Sequence, residues 1–309
     1  MLLQRRSLLL GSIAAACLPL TGCGRTRNDQ PDFGARLRAL EAASGSDRLG
    51  VAMLDSLDGT LVGHRIDERF TMCSTFKLSL AAAVLARMDS GAIKSDAVLP
   101  ITKGDLVGHA PAVKQALDAG ETHMGVLALA EAAQVVSDNG AANILLRHIG
   151  GPEALTAFWR TLGDDVSRLD RYEPALNTSH GDDHRDTSSP AAMARSLQAI
   201  LTGPVLKAAS QDRLTGWMIK TRTGLTRLRN GLPAEWRAGD KTGTNAGDGS
   251  YASKANDVAV IWHPQRAAPF FVTAFLESPV KGAPETRPEH DAVLAQAGRI
   301  AAEWITGRV

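Results

Sequence analysis

The chain has little cysteine: three residues in 309, namely Cys17, Cys23 and Cys73. So few exclude a fold stapled by disulfides, which takes several pairs. No one sign of charge dominates either. Lys and Arg number 34 against 33 Asp and Glu, a formal net charge of +1, and that balance offers no basic surface for nucleic acid. Beyond the first residues there is no apolar run of the ~20 residues that a membrane helix needs. Internal repeats and low-complexity tracts are also missing, which removes solenoids and arrays.

What is present begins with a processing signal. Arg5-Arg6 precede an apolar run, Leu8 to Leu20, broken by Gly11 and Ser12. That run is too short to span a bilayer with margin, so residues 1–22 read as an export signal peptide. The arginine pair also fits a twin-arginine signal, but the residues after it match that signal poorly, and both export routes stay open. The run ends in Leu20-Thr21-Gly22-Cys23, similar to a bacterial lipobox, with small residues directly before the cysteine as cleavage requires. The expectation is a monomer exported to the periplasm or cell envelope and attached to a membrane by lipid on Cys23. Residues 23–32 then form a polar tether. With Cys23 lipidated, Cys73 has no partner and is read as a packed free thiol.

About 280 residues remain, enough for one large domain or two packed lobes. Leu49 to Asp55 and Thr60 to Ile66 read as strands joined by a turn at Asp58-Gly59. Helical patterns follow over Thr75 to Met88, Met124 to Val136, Ala141 to Ile149, Pro152 to Leu162, Pro190 to Leu201 and Val205 to Thr221. Strand character returns at Trp236 to Thr244, Asp257 to His263 and Pro269 to Leu276, and His290 to Ile305 is a closing amphipathic helix. The fold class is α/β, α+β in layout: an antiparallel sheet built from both termini, flanked by helices, with an inserted all-helical lobe. Residues 33–72 and 217–309 form the sheet lobe, and 73–216 the helical lobe.

Ser74-Thr75-Phe76-Lys77 opens the first long helix. A three-residue spacing puts the hydroxyl and the amine on one helical face, beside the positive field of a helix N-terminus. Desolvation can drive such an amine toward its neutral form, able to accept the serine proton. A second match, Ser278-Pro279-Val280-Lys281, follows a strand and is read as a loop accident. Ser137-Asp138-Asn139 sits at a junction of helices, where either acidic or amide side chain also serves as a cap. Lys241-Thr242-Gly243 lies on a strand. Arg171-Tyr172-Glu173-Pro174-Ala175-Leu176-Asn177 supplies a carboxylate and an amide four residues apart in a Pro-containing loop, a pair able to hold and deprotonate a water.

In this order the first three motifs resemble the signature of class A β-lactamases and penicillin-binding proteins, and the fourth resembles the Ω-loop of the class A enzymes. The resemblance runs from about Phe33 to Trp304 and implies the β-lactamase/D,D-peptidase-like fold, with the Ω-loop at about 168–186. It implies hydrolysis of the β-lactam ring of penicillins and cephalosporins through an acyl-enzyme on Ser74, giving antibiotic resistance. Lys77 and Glu173 would share its activation, a disputed division. Glu173 and Asn177 would hold the deacylating water, and Ser137 would pass a proton to the lactam nitrogen. Backbone N–H groups of Ser74 and Thr244 would form the oxyanion hole, and Asn139 would bond the substrate's amide side chain. Lys241, Thr242, Gly243 and Thr244 would face the substrate carboxylate. A further cation there points to Arg227, with Arg222 and Arg229 close by in sequence. His109 falls where relatives place an aromatic at the cleft mouth, although an exposed loop histidine explains it equally. Arg171 and Asp186 would clamp the loop neck. No cofactor is implied, and no metal: His180 and His184 share a loop with Asp182, Asp183 and Asp186 but no flanking element fixes them.

A penicillin-binding protein would keep its acyl-enzyme and has no need of the Glu173/Asn177 pair. A penicillin-sensing domain would be fused to a membrane or DNA-binding module. Asn245 to Ala255 reads as an unusually long, Gly/Ser-rich link between two adjacent strands.

Overall fold

The strands of the ends and the helices between them assemble as one unit, Phe33–Val309. The computed structural model describes residues 32–45, 48–246, 253–278 and 288–309. The expected export signal, the lipidation site Cys23 and all of the tether but Asp32 lie outside the described residues. In chain order the elements are α1 (Phe33–Ala43), β1 (Arg48–Asp55), β2 (Leu61–His64), β3 (Phe70–Thr71) and α2 (Phe76–Asp89), the last entered through a 3₁₀ turn at Cys73–Thr75. Then come β4 (Val98–Pro100), α3 (Pro111–Asp118), β5 (His123–Gly125), α4 (Val126–Val135), α5 (Asn139–Ile149), α6 (Pro152–Thr161), β6 (Thr187–Ser188), α7 (Pro190–Thr202) and α8 (Ala208–Lys220). The chain closes with β7 (Arg237–Asn245), β8 (Ser253–Trp262), β9 (Phe270–Ser278) and α9 (Pro288–Thr306).

The main sheet has five strands in the order β2-β1-β9-β8-β7, all antiparallel. The two ends of the chain meet where β1 pairs β9, from Arg48↔Glu277 to Asp55↔Phe270. Both faces are covered, so burial along β1 and β8 is almost continuous rather than alternating. Alternate side chains still part company. Val51, Met53, Val272 and Ile261 pack with Leu294, Ile300 and Trp304 of α9 and with Leu37 of α1. Ala52, Leu54, Val260 and Phe271 join the larger core of the inserted helices.

That core is built around α2, whose residues Phe76 to Leu85 are all buried. Its alanines, Ala81, Ala82 and Ala83, keep the helix thin enough for neighbours to close around it. Buried as it is on all sides, α2 can hold the Ser-x-x-Lys pair rigidly. α5 starts at Asn139, two residues ahead of the periodic apolar pattern, because Asp138 caps it, accepting from Ala141 N at 2.8 Å. It stops at Gly150, whose φ of +103° suits glycine.

Three features depart from the sequence reading. The helices α1 and α3 are additions to it: they are short, of 11 and 8 residues, and each fully buries a single side chain, Leu37 and Val113. Two short strand pairs stand beside the main sheet: β4 with β5 inside the inserted segment, and β3, just ahead of that segment, with β6 within it. Strand β8 begins at Ser253 and pairs Thr244↔Ala255 and Asn245↔Lys254. The link is therefore 246–252, shorter than Asn245 to Ala255, because Ser253, Lys254 and Ala255 are buried strand residues. Of that link, 247–252 lie outside the described residues, as do Pro279, Val280 and Lys281 of the second Ser-x-x-Lys match.

Candidate active site

The nucleophile turn is held from both sides. Cys73 has φ +47°, an uncommon conformation for a non-glycine residue that neighbours must enforce. Asn256 of β8 donates to Thr71 O at 2.9 Å and Met72 O at 3.0 Å, and Thr75 Oγ1 donates to Met72 O at 2.8 Å. Gly243 lets β7 approach this turn: a Cβ there would stand 2.7 Å from Met72 O and 3.1 Å from the Cys73 side chain. Burial pushes the Cys73 thiol up to about 12, so the residue is packing and not a nucleophile.

One helical turn on, Lys77 Nζ lies 3.0 Å from Ser74 Oγ, 2.9 Å from Ser137 O, 2.5 Å from Asn139 Oδ1 and 3.1 Å from Glu173 Oε1. Burial pulls this amine below the usual lysine range, against the opposing charge of Glu173. Ser74 Oγ also stands 3.5 Å from Glu173 Oε1. The serine therefore has an amine and a carboxylate on its two sides, either able to take its proton.

Ser137 sits between two lysines. Its Oγ is 3.5 Å from Lys77 Nζ and 3.0 Å from Lys241 Nζ, and its φ is +58°. Lys241 is fully buried and donates a second bond to Thr242 O at 2.8 Å. Burial first, and then the charge of Lys77, bring its pKa well below the ordinary value.

Glu173 is fixed at main chain and side chain alike. Asn143 of α5 donates to Glu173 O at 3.0 Å and accepts from Glu173 N at 2.9 Å. Asn177 Nδ2 donates to Glu173 Oε2 at 2.7 Å, while Asn177 Oδ1 is buried with no hydrogen-bond partner in the protein. That acceptor, beside the carboxylate, is what a water held between Asn177 and Glu173 requires. The loop neck is closed by Arg171 Nε donating to Asp186 Oδ2 at 2.6 Å. Arg171 also donates to Thr178 Oγ1 and Ser179 Oγ.

On the far wall, alternation along β7 sends Lys241 toward Ser137 and sends Thr242 and Thr244 to the other face. Arg227 lies over that face, donating to Thr244 Oγ1 at 2.8 Å, to Gly243 O at 3.0 Å and to Asn256 O at 2.8 Å, with Asp291 on its Nε. Of the three arginines, Arg227 lines the cleft; Arg222 is exposed, and Arg229 turns back to Thr221 O. His109 is exposed at the rim, its Nε2 2.9 Å from Val136 O. The cleft has a volume of about 540 Å³ and is lined by Ser74, Ser137, Asn139, Glu173 and Asn177 together with Arg227, Thr242, Thr244 and His109.

Sequence reasoning missed Asn143 and Asn256. Asn143 had a signal, lying one helical turn after Asn139 on the same face. Asn256 had none beyond being polar inside a strand, since its role depends on a pairing partner far away in the chain.

The β-lactamase enzyme family model matches residues 32–305. The chain is 43% identical to β-lactamase L2 of Stenotrophomonas maltophilia, over 97% of this chain and 98% of that one. It is 40% identical to β-lactamase Toho-1 of Escherichia coli, over 96% of each. Among solved structures, a β-lactamase from Xanthomonas campestris superposes with a TM-score of 0.81 at 42% identity, covering 88% of this chain and 97% of that one. An ancestral class A β-lactamase gives 0.80 at 47% identity, covering 88% and 99%. Agreement of this extent in sequence and in fold, with the serine and the loop carboxylate in one cleft and the two lysines buried against its serines, means that the chain belongs to the β-lactamase enzyme family and is a class A hydrolase of β-lactams.

Proposed function

We propose that Ser74 Oγ attacks the lactam carbonyl of penicillins and cephalosporins, and that the resulting ester is hydrolysed by a water held between Glu173 and Asn177. The observation that carries this is one carboxylate reaching both the serine and the amide: Glu173 is 3.5 Å from Ser74 Oγ through Oε1 and is bonded to Asn177 through Oε2. In the first step the serine proton passes to Lys77 or Glu173. The C–N bond breaks as Ser137, bridged to Lys77 and Lys241, delivers a proton to the leaving nitrogen. The N–H groups of Ser74 and Thr244 receive the developing oxyanion. In the second step Glu173 takes a proton from water, whose oxygen attacks the ester carbonyl; the C–O bond to Ser74 breaks as Oγ regains a proton from Glu173 or Lys77. Asn139 is assigned to the substrate's amide side chain, and His109 to its rim. The experiment is direct: purified protein should turn over benzylpenicillin catalytically and leave a D-alanyl-D-alanine peptide intact.

Thr244 accepts from Arg227, so its own O–H is free to donate to the substrate carboxylate, alongside Lys241 and Thr242. Thr244→Val deletes that donor at constant shape. Losing one hydrogen bond to a charged group costs about 1.5–3 kcal/mol, or roughly 10- to 100-fold in kcat/KM. The loss should appear in KM, with a modest fall in melting temperature because Arg227 Nη2 loses its acceptor as well. Equal kcat/KM in both proteins would remove Thr244 from carboxylate binding.

We also propose that the mature chain begins at a lipidated Cys23 in the cell envelope, supported by the small residues before that cysteine. Labelling with a fatty-acid probe should mark the wild type and miss Cys23→Ser. Equal labelling, or an unmodified N-terminus further along, would remove the anchor.

A further inference from the structure

Lysine is among the residues least often fully buried, because its ammonium loses water on entering the fold. Lys254 is 1% exposed, at the second position of β8. Its place on β8 explains where it goes. Lys254 and Asn256 are two residues apart, so they share a face, the same face as Lys241 and Gly243 of β7. Asn256 uses this position to hold the nucleophile turn at Thr71 O and Met72 O. Lys254 reaches past it to the Ω-loop and donates to the main-chain oxygen of Asn177 at 3.0 Å. Asn245, its register partner on β7, donates to the same oxygen at 3.3 Å. The side chain of Asn177 meanwhile bonds Glu173 and Pro174 O, at 2.7 and 2.9 Å.

Residue 177 is therefore gripped at both ends, from the loop through its amide and from the sheet through its carbonyl. We infer that Lys254, assisted by Asn245, is a positioning residue for deacylation: it fixes the backbone of Asn177 and so the point where the hydrolytic water is held. Two alternate positions of β8 then brace the two half-reactions separately, Asn256 at the nucleophile and Lys254 at the water. The inference rests on the assignment of Glu173 and Asn177 to the water.

Lys254→Met keeps the length and the burial of the side chain and removes the donor without leaving a charge. The quantity to measure is the ratio of acylation to deacylation rate with benzylpenicillin, by rapid quench and intact-mass analysis. A displacement of about 1 Å at a positioned group costs on the order of 100-fold, so deacylation should fall roughly 10- to 100-fold while acylation stays near the wild-type rate. The acylated fraction at steady state should rise accordingly. Lys254→Arg, which can still donate to the carbonyl, should restore most of the deacylation rate. A purely structural lysine would lower the melting temperature and leave the ratio unchanged, or would lower both rates together through the neighbouring oxyanion strand; either result overturns the inference. Should Lys254→Met fail to fold, Asn245→Ala is read for the same ratio, with the same shift expected at smaller size and an unchanged ratio overturning the inference. Glu173→Ala run in parallel separates the two failures. If it deacylates at the wild-type rate, the assignment of the water to Glu173 has failed; if it traps the ester while Lys254→Met does not, only the Lys254 inference has.

Discussion

Asp186→Asn is expected to loosen the Ω-loop, lower thermal stability and slow deacylation together. Asp186 is fully buried at the loop neck. One of its carboxylate oxygens accepts from Asp170 N at 2.7 Å and Arg171 N at 3.0 Å, and the other from Arg171 Nε at 2.6 Å. Its own φ is +58°, a conformation asparagine tolerates well, so the substitution tests the charge more than the backbone. Breaking a buried pair on one side costs about 3 to 5 kcal/mol. The Arg171 side chain is 20% exposed, which places the effect at or below the lower end of that range. Much of it should appear as local opening, because the segment between Arg168 and Asp186 can detach without unfolding α2 or the sheet. Proteolytic nicking within 168–186 should therefore rise faster than global unfolding. Asn177 and Glu173 ride on that segment, so the deacylation rate with benzylpenicillin should drop while acylation falls less. Unchanged nicking and unchanged turnover would remove Asp186 as the clamp.

The parts of the fold legible in the sequence are those set by local pattern. The strand at Leu49, the alanine-rich helix after Ser74 and the closing helix all follow from spacing of apolar residues over a few turns. Asp138 was ambiguous between capping and chemistry; it caps α5 and also accepts from Ala112 N and Val113 N, while its neighbours Ser137 and Asn139 face Lys77. What stayed hidden depends on pairing over long separations. Lys254 reads as a solvated charge in a Gly/Ser-rich link until its register with Asn245 and Glu277 is known. Arg227 could be separated from Arg222 and Arg229 only by seeing which side chain lies over Thr244. The site motifs were readable because each is short and carried by one element. Their mutual distances were not, since Ser74, Ser137, Glu173 and Lys241 come from four separate stretches of chain.

On the proposed mechanism Ser74 forms an ester that only Glu173 can clear. Hydrolysing that ester requires a water both held and deprotonated, and Glu173 is the carboxylate bonded to Asn177 and within reach of Ser74 Oγ. Removing it leaves Lys77 at 3.0 Å from the serine, so the first half-reaction has a remaining base. The second has none. Loss of a general base typically costs about 10²- to 10⁴-fold, enough to turn a transient ester into a species stable for many minutes. The most direct measurement is intact-protein mass analysis of Glu173→Ala, Ser74→Ala and the wild type after mixing each with benzylpenicillin. Glu173→Ala should carry a persistent mass increase equal to the whole drug, Ser74→Ala none, and the wild type should turn the drug over rapidly without accumulation. Wild-type turnover by Glu173→Ala, or a long-lived adduct on the unmutated protein, would contradict that mechanism.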